Sequence, residues 1–191
     1  MRKTGPVRIP RRAARIAVID PSGYLFMFRY DNVEIGVHWS MPGGGLEPGE
    51  NDAQGAMREV REETGWTDVT AGVPWFMWEH DYTRPEGAVR QREVVFLVGG
   101  AGASGEPGMP ASIGRTPRRD PVGDLHEAHR EDGILRWTWW SPRDLAGATE
   151  PMWPPTLADL HQRLLAEGPP VSPIDLGYLP NGQGGGAEEA S

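Results

Sequence analysis

Three carboxylates fall within five residues in the run Arg58-Glu59-Val60-Arg61-Glu62-Glu63. On an α-helix Glu59 and Glu63 stand one turn apart on the same face, with Glu62 on its flank. Like charges at that spacing destabilise an exposed helix, so a cation should compensate them. Arg58 can do part of this. A hard divalent ion does the rest economically, because carboxylates, retained waters and substrate phosphate oxygens are the usual ligands of Mg²⁺. Just upstream lies Met41-Pro42-Gly43-Gly44-Gly45-Leu46-Glu47-Pro48-Gly49-Glu50, a glycine-rich loop whose backbone can come close to a ligand. Taken alone, the acidic cluster would read as a solvated helix face and the glycines as a turn. Together they point to metal-assisted chemistry on a phosphate, in which a cation bridging phosphate oxygens neutralises charge building in the transition state.

These residues need a helix and a sheet to hold them. The spacing of Ala53, Ala56, Met57 and Val60 predicts a helix over Asn51–Thr64, with Asn51 and Gln54 as a capping pair. Arg15–Asp20 and Tyr24–Arg29 flank the turn signal Pro21-Ser22-Gly23 and read as a hairpin. Further strands are expected at Val73–Tyr82, Glu93–Val98 and Leu135–Trp140, which are rich in β-branched and aromatic residues. A short helix should start at Ser141-Pro142. A last one should span Pro155–Glu167, with Leu157, Leu160 and Leu164 inward. Glycine and proline concentrate in two stretches, read as a long surface loop over 99–124 and a flexible tail over 168–191, in which Ile174, Leu176, Tyr178 and Leu179 are the exception that could dock. The expected organisation is an arm over 1–14, one domain over 15–167 and the tail.

Composition narrows the function. A chain of 191 residues with 27 acidic and 19 basic side chains has a formal charge of -8 and offers no broad basic field for duplex nucleic acid or an anionic membrane. The absence of cysteine excludes thiolate metal sites and thiol nucleophiles. The five histidines show no metal-ligand spacing. No 18-residue apolar run occurs, and the expected location is the cytoplasm.

Gly44, five residues, Glu50, seven residues, Arg58-Glu59-Val60, one residue, Glu62-Glu63, one residue, Gly65-Trp66 resembles the Nudix box, the signature of Nudix hydrolases. Trp66 is the one departure, standing where an aliphatic residue is usual. The resemblance implies an α/β fold, an α/β/α sandwich around a mixed β-sheet, and hydrolysis of a nucleoside diphosphate linked to another group, with Mg²⁺ or Mn²⁺. By position it implies Glu59 and Glu63 as metal ligands, Glu62 beside them and the Gly43 carbonyl as a further ligand. Arg58 would fix a carboxylate and Glu50 would complete the outer shell of the metal. The partner expected is a small dinucleotide or nucleotide-sugar, with a homodimer as an option, and neither a nucleic-acid polymer nor a membrane. Two rivals stay open: a pyrophosphatase for oxidised nucleoside triphosphates, and a binding module of the same fold without turnover.

Beyond the box the residues offer candidates only. Trp75, Trp78 and Tyr82 could stack on a nucleobase, although strand aromatics usually pack in the core. Arg84, Arg90 and Arg92 could bind phosphate, and Glu127 or Glu131 could add a carboxylate near the end of the long loop. Arg115, Arg118 and Arg119 could make that loop a cationic lid.

Overall fold

A computed structural model describes residues 7–99 and 116–180. The elements in chain order are β1 (Ile9–Ala17), β2 (Leu25–Asn32), β3 (Gly36–Ser40), β4 (Gly43–Gly45), α1 (Asp52–Thr64), β5 (Thr70–Arg84), β6 (Gly87–Gly99), α2 (His126–Asp132), β7 (Ile134–Trp140), α3 (Pro142–Ala146), α4 (Leu157–Glu167) and β8 (Ile174–Leu179). They form a five-stranded sheet in the order β4-β1-β6-β5-β8 and a three-stranded sheet in the order β3-β2-β7. The larger sheet is mixed, because β1 runs parallel to β6 and β8 parallel to β5, whereas the other pairs are antiparallel.

Period-2 alternation makes β1 and β2 the spine of the molecule. Ala17, Leu25 and Met27 enter one core with Trp75, Trp78 and the α4 residues Leu157, Leu160 and Leu164. Ala14, Ile16, Phe26 and Phe28 enter a second with Ala56 and Val60 of α1. Each strand is therefore buried on both faces beneath a helix, the layered mixed α/β arrangement that the sequence implies. One expectation changes. Residues 15–29 make a hairpin only at the turn, where Ile19 bridges Leu25, and the strands on either side then diverge into different sheets.

The domain also reaches beyond the span expected of it. β1 begins at Ile9, inside the stretch read as an arm, because its register with β6 continues from Ala17↔Leu97 down to Ile9↔Val89. β8 lies inside the stretch read as a flexible tail; Ile174, Leu176 and Leu179 pack on the first core. Residues 100–115 of the expected loop and 181–191 of the expected tail lie outside the described residues. Among the described residues no helix is long and apolar enough to cross a membrane.

Candidate active site

The helix that carries the carboxylates is well defined at both ends. Asn51 accepts from the Gln54 backbone N–H at 2.9 Å while the Gln54 side chain accepts from Asn51 N–H at 3.0 Å, a reciprocal cap. Gly65 closes α1 in the left-handed region at φ 71°. Trp66, the departure from the usual box, is 3% exposed and packs against Phe26, with ring centroids 4.8 Å apart. The substitution is therefore absorbed by the core.

The glycine loop forms β4, which pairs with β1 through Arg15↔Gly43, Ala14↔Gly44 and Ala13↔Gly45. A Cβ on Gly44 would lie 2.7 Å from the Glu59 carboxyl carbon. The box glycine thus leaves room for a box carboxylate.

Glu63 is 1% exposed, with Oε1 accepting from the Tyr30 hydroxyl at 2.9 Å and Oε2 from the Gly43 N–H at 2.7 Å. Burial, then the neighbouring Glu59 charge, pushes its carboxyl well above the usual carboxylate range. Glu59 is also raised, chiefly by burial, and Asp132, whose residue is exposed, is raised by partial loss of hydration at its carboxyl and then by the neighbouring Glu131 charge. Carboxylate oxygens of Glu59, Glu63 and Asp132 all lie within 4.8 Å of one another. Three hard oxygen donors of one sign, one on a buried side chain, fit a divalent cation.

The remaining box residues divide differently from expectation. Arg58 is a hub. Its guanidinium donates to both oxygens of Glu50 at 2.8 and 3.1 Å, to the Gly45 carbonyl at 2.8 Å, to Glu59 at 3.0 Å and to Glu62 at 2.9 Å. Hydrogen bonding to Glu50 is the main reason its pKa is raised. Glu50 also accepts from the Glu47 N–H at 2.8 Å, so both its oxygens bind the loop and Arg58 instead of facing the carboxylate cluster. Glu62 is half exposed, paired with Arg58 and outside the cluster. The Gly43 carbonyl already accepts from Arg15 at 2.9 Å.

Arg15, Glu93, Tyr30 and His129 do this positioning, and none is marked for it by the box spacing. Arg15 donates to the carbonyls of Met41 at 2.7 Å and Gly43 at 2.9 Å, and pairs with buried Glu93 at 2.8 Å. Burial opposes its charge, yet Glu93, Tyr30 and Glu63 outweigh burial and raise its pKa. A lone arginine inside the apolar run Ala13–Ile19 was the available signal. Tyr30 holds Glu63 from β2. His129 donates from Nε2 to the Glu63 carbonyl at 2.7 Å, docking α2 on the end of α1. That contact brings Asp132, not Glu127, to the cluster; Glu127 is exposed on α2, and Glu131 lines the cleft beside Asp132.

A cleft of about 380 Å³ opens over Gly43, Gly44, Glu63 and Asp132, and Tyr82 and Arg84 line it. Trp78 and Trp75 are each 1% exposed, so neither offers a stacking face. Arg90 and Arg92 open onto a larger cavity of about 1030 Å³, outside the cleft, whose lining includes none of the clustered carboxylates. The lid expectation fails for the two described arginines: Arg118 pairs with Asp20 at 2.8 Å and lies over Tyr24, and Arg119 pairs with Asp68. Arg115 lies outside the described residues.

The chain matches the NUDIX domain over residues 9–164. It is 39% identical over 70 residues to an RNA pyrophosphohydrolase from Erythrobacter litoralis, covering 34% of this chain and 42% of that protein. It is 35% identical over 63 residues to the nucleoside triphosphatase NudI of an Enterobacter species, covering 31% of this chain and 45% of that one. The matched stretches thus span less than half of either relative. Among solved structures, the MutT protein from Methanosarcina mazei superposes with a TM-score of 0.57 at 17% identity, covering 85% of this chain and 98% of that one.

Proposed function

The chain belongs to the NUDIX domain family, and on that premise we propose that it is a metal-dependent pyrophosphohydrolase acting on a nucleoside diphosphate linked to another group. The observation that carries this reading is the convergence of Glu59, Glu63 and Asp132 within 4.8 Å, with Glu63 and Asp132 lining a cleft. These three carboxylates would hold Mg²⁺ or Mn²⁺, with α1 supplying two and the α2 terminus the third. When bound, such an ion screens the diphosphate oxygens and makes a water more acidic. The residues of the chain do the rest. Tyr30 and the Gly43 N–H fix the Glu63 carboxylate, Arg58 orients Glu59 and is itself locked by Glu50, and Arg15 sets the loop carbonyls. Arg84 at the cleft wall can meet a phosphate, and Tyr82 can contact the group beyond it.

A panel of dinucleotides, nucleotide-sugars and nucleoside triphosphates, with a 5′-triphosphorylated RNA oligonucleotide added because one relative is named for RNA, tests the reading. Metal-dependent release of phosphate-bearing products from at least one of them is the expected outcome. Binding of nucleotide without product at any metal concentration would replace it with the non-catalytic module.

A further inference from the structure

The floor of the cleft contains a polar atom that the hydrolytic chemistry does not use. His80 on β5 is 2% exposed and lines the cleft, and its Nδ1 has no hydrogen-bond partner among the described residues. The ring is held in place: it stacks on Trp78 with centroids 4.2 Å apart and meets Trp153 edge-on at 5.0 Å.

The neighbours decide where its hydrogen lies. Gln91 Oε1 accepts from Arg11 and from the Tyr82 hydroxyl at 3.0 Å, while Gln91 Nε2 donates to the Glu93 carboxylate at 2.9 Å. Arg11 can only donate and an ionised Glu93 can only accept, so the amide cannot be turned over. Its N–H therefore also faces His80 Nε2, at 3.3 Å. The indole N–H of Trp153, a donor only, faces the same nitrogen at 3.5 Å. The Glu93 carboxylate lies 3.7 Å from the same nitrogen, beyond hydrogen-bond reach, and already accepts from Arg15, Gln91 and Trp78. With two donors nearer, Nε2 accepts, and the neutral imidazole carries its hydrogen on Nδ1. The protonated ring carries one there as well. Either way a buried N–H beside the cleft lacks an acceptor among the described residues, which is unfavourable unless something supplies one.

The surrounding rings indicate what would. Trp153, Tyr82 and His38 line the same cleft, and His38 packs on Trp153 with centroids 5.3 Å apart. These flat walls suit a planar group. Nδ1 is closed to a molecule the size of water in this arrangement, so an acceptor reaches it only on a planar group that parts the floor rings as it seats.

We propose that His80 is a specificity-determining residue, whose Nδ1–H donates to an acceptor atom on the planar heteroaromatic base of the substrate. The proposal rests on the hydrolase reading for the identity of its ligand, and its test separates the two. Imidazole nitrogen resonances of the full chain are recorded without metal, with and without a saturating nucleotide of each base, and with base-free phosphoribosyl diphosphate as the control. The His80 Nδ1–H signal is expected to shift with at least one nucleotide and not with the control. In kinetics, His80→Phe, which keeps the packing, is expected to raise KM for the best base-bearing substrate roughly tenfold more than for the control, the scale of one lost hydrogen bond. His80→Asn, which returns an N–H near the same place, should recover part of that difference. A stationary Nδ1–H signal, or equal losses on both kinds of substrate, would overturn the proposal in favour of an internal water or a purely structural ring. A shift without turnover of any panel member would keep His80 as a base donor and sink the hydrolase reading.

Discussion

At the scale of single residues, the three glutamates of the box are not equivalent. Glu63 is buried and hydrogen-bonded by Tyr30 and Gly43, Glu59 is packed against Gly44, and Glu62 faces solvent beside Arg58. Glu63→Gln and Glu59→Gln are each expected to lower metal-dependent turnover by more than the roughly ten- to hundredfold that loss of an outer-shell partner costs, whereas Glu62→Gln should stay within that range. Steady-state rates at saturating Mg²⁺ check this ranking, and an inactive Glu62→Gln beside an active Glu63→Gln would reverse the assignment. Box spacing marked out Glu59 and Glu63 because i, i+4 geometry is local. The third carboxylate was not legible: Asp132 lies 69 positions from Glu63 in sequence and reaches it only because His129 docks α2 on the end of α1. No local pattern distinguishes it from Glu127 or Glu131.

The same division between local and distant information holds for the elements. α1 with its cap, β5, β6 and β7 follow from periodicity and capping residues. β4 does not, since three glycines have no strand propensity and are recruited by pairing with β1. Nor does the depth to which polar residues sink in β1, β3 and β6. Arg15 and Glu93, 12% and 0% exposed in their side chains, are paired between β1 and β6. Arg15→Met should therefore leave a buried carboxylate without its partner and lower stability by about 3 to 5 kcal/mol. Adding Glu93→Gln should restore part of that, a coupling that denaturant unfolding of the single and double variants measures. On β3, burial holds His38 neutral and depresses its pKa to about 4, despite the hydrogen bond it donates to the Gly36 carbonyl. The unfolded chain protonates this imidazole near pH 6.5, so its contribution is present above that value and is lost as pH falls toward 4. The difference is worth roughly 3 kcal/mol. Unfolding titrations of wild type and His38→Phe should diverge across that window, and parallel curves would show that another group governs it.

For the molecule as a whole, the boundary of the domain and the location of its chemistry are set by sheet pairing. The Gly- and Pro-rich composition after Gly168 gave the impression of a tail, yet β8 adds to the free edge of β5, and Tyr178 donates to Asp81 at 2.6 Å. Composition averages over a stretch in which Ile174, Leu176 and Leu179 pack on the core and Tyr178 lies against Arg90. A chain ending at Gly168 should lose roughly 2 to 4 kcal/mol relative to one ending at Pro180, from three partly buried aliphatic side chains. Its Tm should fall by on the order of 10 °C, and an unchanged Tm would mean that the strand adds nothing to the fold. The overall charge of -8 makes the carboxylate site repulsive to a diphosphate unless a cation stands between them. Turnover should therefore depend on metal, and Asp132→Asn probes that dependence at the proposed ligand that joins the two helices. The decisive measurement is the initial rate of product release from the best panel substrate as a function of Mg²⁺ concentration, for wild type and Asp132→Asn. Wild type should show no turnover in chelator and a saturable rise with metal, and Asp132→Asn should require at least about tenfold more Mg²⁺ for half-maximal rate. Turnover that persists in chelator, or a Mg²⁺ requirement identical in the two proteins, would contradict the assignment of this cluster as the catalytic metal site.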